Sequence, residues 1–207
     1  MEQRRFNLIQ FLLNNSTVFL FIIIFILFGL SSPRTEAGFP RFWLPENMLN
    51  IIKQAAVFAG IIGVGMTFVL LTAGIDLSVG SNMYLSVVVA GLLMRSIGLE
   101  IVPALLVSLA VGTLFGALNA FAIVRLKIIP FMTTLATLVI GRGLGTAFTS
   151  SQQIDFPERM NAFGQTMVLG VIPMPIVVFV LVVIAAWFIL ARTQFGRQVY
   201  AVGNDIE

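Results

Sequence analysis

Long intervals without a single charge constrain this chain more than any other feature. Residues 6–33, 54–75, 77–94, 101–124 and 160–191 contain no Asp, Glu, Lys or Arg, and 128–148 is broken only by Arg142. Each is close to the ~20 residues that carry a helix across the hydrocarbon core of a bilayer. In hydrocarbon the backbone must satisfy its own hydrogen bonds, so such runs fold as helices or close into a barrel. Runs this continuous lack the alternation of barrel strands. The expected fold is an all-α membrane protein of about six transmembrane helices, with cores near 14–31, 52–73, 80–96, 101–123, 130–148 and 170–191.

Composition agrees. The chain is 58% hydrophobic and 10% charged, where soluble domains carry about a quarter charged residues. Nineteen Phe against two Tyr and two Trp suit a lipid-solvated surface. Without Cys there is no disulfide framework or thiolate metal site, and without His the commonest general base is missing. No metal, cofactor or catalytic residue is expected. The net charge of +3 does not point to nucleic acid, because the basic residues are few and stand at the ends of apolar runs. That is how membrane topology is encoded.

Their distribution favours a cytoplasmic N-terminus. The inner side then holds Arg4, Arg5, Arg125, Lys127, Arg192 and Arg197, and the outer side Arg34, Arg41, Arg95 and Arg159. Six spans return the C-terminus to the cytoplasm. The outer loops, 32–50 and 149–169, contain Pro and aromatic residues, and Trp43 suits an interfacial belt. The first apolar run is longer than a signal-peptide core and no A-x-A site follows it, which favours an uncleaved span. No linker or repeat divides the chain, so residues 1–207 read as one membrane domain.

Chemistry concentrates in Thr72-Ala73-Gly74-Ile75-Asp76-Leu77-Ser78-Val79-Gly80-Ser81. A membrane-depth carboxylate is costly and needs a functional or architectural reason. Asp76, Ser78 and Ser81 can each accept from free N–H groups where the third span begins, which makes the segment a helix boundary. It can also be an unwound stretch lining a translocation path, and the two roles can hold together. Gly60, Gly63, Gly65 and the Gly112/Gly116 pair read as close-packing positions, with Asn119 placed to hydrogen-bond a neighbouring helix. Gly141-Arg142-Gly143-Leu144-Gly145 lacks the strand–turn–helix context of a dinucleotide loop. Arg142 is expected to snorkel or to pair with an acid inside the bundle.

Several of these segments resemble one family. TAGIDLSVGS, preceded by Gly65-Met66-Thr67-Phe68-Val69-Leu70, looks like the signature of the sugar branch of bacterial ABC importer permeases, the ribose/xylose/galactoside type. Gly116-Ala117-Leu118-Asn119-Ala120, Lys127 to Leu135 with its Pro130-Phe131 entry, and Gly141-Arg142-Gly143 are similar to later elements of that family in the same order. Thr193 to Asn204 is similar to the segment that begins its cytoplasmic coupling loop.

The resemblance implies a permease subunit of the bacterial inner membrane that forms dimers with a second copy or a paralogue. It would receive sugar from a periplasmic binding protein and be driven by a separate ATP-binding subunit. No G-x-x-x-x-G-K-[ST] phosphate loop occurs in the chain, in keeping with that division of labour. Asp76, Ser78, Asn119 and Arg142 are the expected path or gate residues. Phe195, Gly196, Arg197, Tyr200, Gly203 and Asn204 are the expected ATPase-coupling residues. In the family the coupling helix continues and further spans follow, whereas this sequence stops at Asp205-Ile206-Glu207. Residues 1–207 alone are therefore expected to insert without transporting sugar or stimulating an ATPase. The competing readings are an ATP-independent channel or carrier, for which Asp76 would be the sole intramembrane acid, and a non-transporting fragment or scaffold. An intramembrane enzyme has the poorest catalytic set.

Overall fold

The computed structural model describes residues 13 and 15–204. Arg4 and Arg5, used for orientation, and the terminal Asp205–Glu207 lie outside them. The chain divides into two compact units, Met1–Gln54 and Ala55–Glu207.

In the first unit, α1 (Ser16–Ser31) is a Phe- and Ile-rich helix, followed by a single 3₁₀ turn at Arg41–Trp43 and by α2 (Pro45–Gln54). Trp43 packs edge-on against Phe25 at 5.3 Å and Phe42 at 5.0 Å, and its indole covers Gly29. The Trp expected in an interfacial belt is thus also the packing anchor of α1.

The second unit begins with a π-helical stretch, Ala55–Gly60, and α3 (Ile61–Leu71). It continues with α4 (Val79–Ser96), α5 (Ile101–Val124), α6 (Pro130–Phe148) and the short α7 (Glu158–Gln165). After a hairpin come α8 (Met174–Arg192) and α9 (Gln194–Asn204). The two expected spans at 101–123 and 130–148 match α5 and α6 closely. Pro130 occupies the first turn of α6, where its missing N–H costs nothing.

Among the described residues three helices are long and apolar enough to cross a membrane: Ile101–Val124, Pro130–Phe148 and Met174–Arg192. Ser16–Ser31 and Ile61–Leu71 are apolar but shorter. α4 has the length but carries Gly, Ser, Asn and Arg. It is also the most buried helix, enclosed by α5 and α6, with Ser81, Leu85, Ser86, Val88, Ala90, Gly91 and Met94 all buried. Near one end of the unit, Ala90, Met94 and Ala104 form a small apolar core covered by Phe156 and Met160.

An all-helical fold is corrected in one place. Residues expected to open the last span instead form a two-stranded antiparallel hairpin, Met167–Val168 with Ile172–Pro173. Its three-residue turn, Leu169 to Val171, passes through Leu169 and Gly170 at φ 54° and 73°. Pro173 and Pro175 then fix the start of α8 at Met174.

Three helix ends turn through a left-handed residue that is not glycine: Ala73, Lys127 and Ser150. At α3 the Ala73 N–H bonds the Leu70 carbonyl and the Gly74 N–H reaches back to Val69, each at 3.0 Å. This is a Schellman closure with alanine where glycine is usual.

Candidate functional site

The chain leaves α3 through that closure and enters α4 through Asp76 and Ser78. Asp76 Oδ1 accepts from the Ser78 N–H at 2.7 Å and from the Ser78 hydroxyl at 2.6 Å, an Asx turn immediately ahead of α4. The expected capping pattern is altered. Ser78 occupies the N-cap position in an α-helical conformation, and its side chain caps no N–H of the helix. Ser81 donates to the Ser78 carbonyl at 2.7 Å rather than accepting. Ser78 is turned inward because its oxygen has a second partner. Asn119, from α5, donates Nδ2 to Ser78 Oγ at 2.9 Å.

The result is a relay of hydrogen bonds from Asn119 through Ser78 to Asp76. Ser78 is fully buried, Asn119 is 5% exposed and Asp76 is half-buried. Thr134, at the start of α6, donates to the Pro130 carbonyl at 2.9 Å and lies 3.4 Å from the Ile75 carbonyl. Three helices therefore hold the 72–78 loop. Asn119 Oδ1 and Thr133 Oγ1 are buried without a hydrogen-bond partner among the described residues.

The same seam continues along α4. Asn82 donates to the Gly112 carbonyl at 3.2 Å, and Ser108 donates to the Ser86 carbonyl at 3.1 Å. Gly112 accommodates this contact, with Ser86 Oγ 3.4 Å from where a Cβ would stand. Gly116, Gly63 and Gly65 differ from expectation, having no neighbour among the described residues within 4 Å of such a Cβ. The tightest approach to α4 is instead on α6, at Gly145, where a Cβ would run into the Tyr84 ring, followed by Gly141, where it would lie 3.0 Å from Ser81 of α4 and from Phe115 of α5. Spacing marks small residues but not which of them meets a neighbour.

Of the four expected path residues, Asp76, Ser78 and Asn119 meet, and Arg142 does not join them. Although Gly141 beside it faces α4, Arg142 is exposed on the other side of α6, with no ion pair among the described residues. The expected acid partner is absent there because the described acids of this unit stand in loops and at helix ends: Asp76, Glu100, Asp155 and Glu158.

The coupling residues share one short helix. Thr193 accepts from the Gly196 N–H at 3.2 Å and so caps α9. Gly196 is buried, while Phe195, Arg197 and Tyr200 are exposed. Gly203 lies against the Leu71 carbonyl, at the end of α3 that leads into the Asp76 loop. α9 is helical through Asn204, the last of the described residues.

Sequence reasoning missed Thr134 as a loop anchor and Arg159 as a clamp. Arg159 of α7 pairs with Glu100 at 3.1 Å and donates to the Gly98 and Leu99 carbonyls at 3.0 and 2.8 Å, holding the α4–α5 turn. Among the described residues no group of three His, Cys, Asp or Glu side chains could hold a metal ion. The arrangement offers hydrogen bonding and shape, not bond-making groups.

The ribose import permease protein RbsC of Haemophilus influenzae is 36% identical over 209 residues, covering 99% of this chain and 62% of that protein. The Bacillus subtilis protein of the same name is 38% identical over 170 residues, covering 80% of this chain and 52% of its own length. The autoinducer 2 import system permease protein LsrC of an Enterobacter species is 33% identical over 196 residues, covering 94% of this chain and 55% of that protein. The chain thus spans between about half and three-fifths of the length of these curated relatives. No solved structure matches it. Residues 47–207 match the family described as branched-chain amino acid transport system / permease component, and the chain belongs to that family of membrane transport permeases.

Proposed function

We propose that the chain acts as the membrane-spanning permease subunit of an ATP-driven sugar importer in the bacterial inner membrane. The observation that carries this reading is the relay Asn119–Ser78–Asp76, a largely buried polar tie between helices at the break after α3. Irregular backbone at membrane depth is tolerated where protein buries it or a cavity borders it. Relatives named for ribose, fructose and D-allose support the substrate class. A periplasmic sugar-binding protein would deliver the sugar, an ATP-binding subunit would dock on α9, and a second permease copy or paralogue would complete the path.

In this reading residues 1–207 form one membrane domain of six spans with both termini cytoplasmic. The 72–78 loop and α9 then share the inner end. Asp76, Ser78 and Asn119 shape the inner mouth, and Phe195, Arg197 and Tyr200 face the ATPase. Alternating access follows when ATP binding in the partner shifts α9 and the helices it touches.

Uptake of labelled D-ribose, D-fructose and D-allose by the full-length permease in proteoliposomes with the cognate ATPase and binding protein tests the function. ATP-independent uptake of any of them would replace it with a channel or carrier. Single cysteines at Ser151 and Gln198 of this cysteine-free chain test the topology. An impermeant thiol reagent should label them from opposite sides, and labelling from one side would refute six spans. Asp76→Asn keeps an acceptor for the Ser78 N–H, so folding should persist while uptake falls. Unchanged uptake would leave Asp76 a structural role alone.

A further inference from the structure

One side of α6 changes character halfway along. At helical spacing, Met132, Leu135 and Val139 are followed on the same face by Arg142, Thr146 and Ser150. The three apolar residues are 62%, 43% and 63% exposed, and the three polar ones are exposed as well. The opposite face, with Thr134, Gly141 and Gly145, is buried. Leu138 and Val139 at one end, then Arg142, Thr146, Ser150 and Ser151, line an open groove of about 760 Å³. That is within the range of small-molecule sites.

Lipid is a poor neighbour for this half-face. Arg142 stands about 9 Å before Phe148, the last residue of a membrane-length helix. A guanidinium at that depth without a partner is costly, and such residues turn toward water or a polar partner. The polar half of this face presents an array of hydrogen-bonding groups. Arg142 offers donors only, and the hydroxyls of Thr146 and Ser150 both donate and accept. No carboxylate or aromatic ring joins them in the groove. Such an array matches neutral hydroxyl-bearing molecules better than it matches cations or flat apolar ligands.

Building on the importer reading above, we propose that this half of α6 is the wall of a water-filled outer vestibule. In it Arg142, Thr146 and Ser150 hold the hydroxyls of a sugar. The run Val139, Leu135 and Met132 beyond them is the dry constriction that the sugar meets next.

The chain has no cysteine, so single cysteines report on each face without a background. Thr146→Cys, Ser150→Cys, Val139→Cys and Leu144→Cys are each placed in the full transporter in cells and treated with a charged, impermeant thiol reagent. A thiol reacts as its thiolate in water, so positions 146 and 150 should label at least about tenfold faster than 139 and 144. D-ribose presented by the binding protein should slow labelling at 146. Arg142→Gln should raise the half-saturating sugar concentration, with Arg142→Lys retaining part of the function.

Equal, slow labelling at 146 and 144 would put the face in lipid and overturn the proposal. Disulfide-linked dimers through Thr146→Cys would make it a contact between copies, and fast labelling without sugar protection would remove the sugar. Failure of the importer reading is a separate result: wild-type transporter without ATP-driven uptake, whatever the labelling pattern.

Discussion

α4 and α8 divide the two tasks of a membrane helix. α8, MPIVVFVLVVIAAWFILAR, is nearly pure hydrocarbon and has no buried residue. α4 carries three serines, an asparagine, two glycines and an arginine, and it is the helix that the others enclose. In water the more apolar helix would be inside. In lipid, apolar side chains gain nothing from leaving the solvent, so close backbone approach and hydrogen bonds decide what is buried. Burial follows smallness and polarity here.

Substitutions that move one helix toward the character of the other should therefore be unequal. Gly141→Val, which pushes a branched side chain into Phe115 and Ser81, should cost about 2–3 kcal/mol. Its thermal midpoint in detergent should fall well below that of wild type, and an unchanged midpoint would mean that α6 does not pack there. Asn119→Ala removes the donor to Ser78 and should cost about 1 kcal/mol, the usual scale of interhelical hydrogen bonds in membranes. Ala73→Gly relieves a left-handed alanine and should raise stability by about 0.5–1 kcal/mol, read as a higher midpoint. Leu181→Ala, on the exposed side of α8, should stay within about 0.5 kcal/mol of wild type. A large loss at Leu181 would erase the contrast between the two helices.

The two helices were also unequally legible in the sequence. Absence of charge gives length, and Pro130 gives a starting point, so α5 and α6 could be placed almost to the residue. Apolar runs carry no rotational phase, because leucine facing lipid and leucine facing a helix look alike. Gly116 and Gly141 therefore could not be told apart, though only the second meets neighbours. Asn119 was legible, since a lone amide in hydrocarbon demands a partner, and Ser78 supplies one. Thr134 was not, because a threonine within a helix ordinarily bonds its own turn, as Thr134 also does. The hairpin at 167–173 was hidden by apolar residues that read as continuous span.

The seat of Gly203 against the Leu71 carbonyl has a mechanical meaning. Where two helices meet through side chains, a small displacement can be absorbed by rotamer changes. At Gly203 there is no side chain to yield, and main chain rests on main chain. Close-packed protein is scarcely compressible. α9 and the end of α3 consequently behave there as a rigid joint, and Asp76 lies only five residues past Leu71.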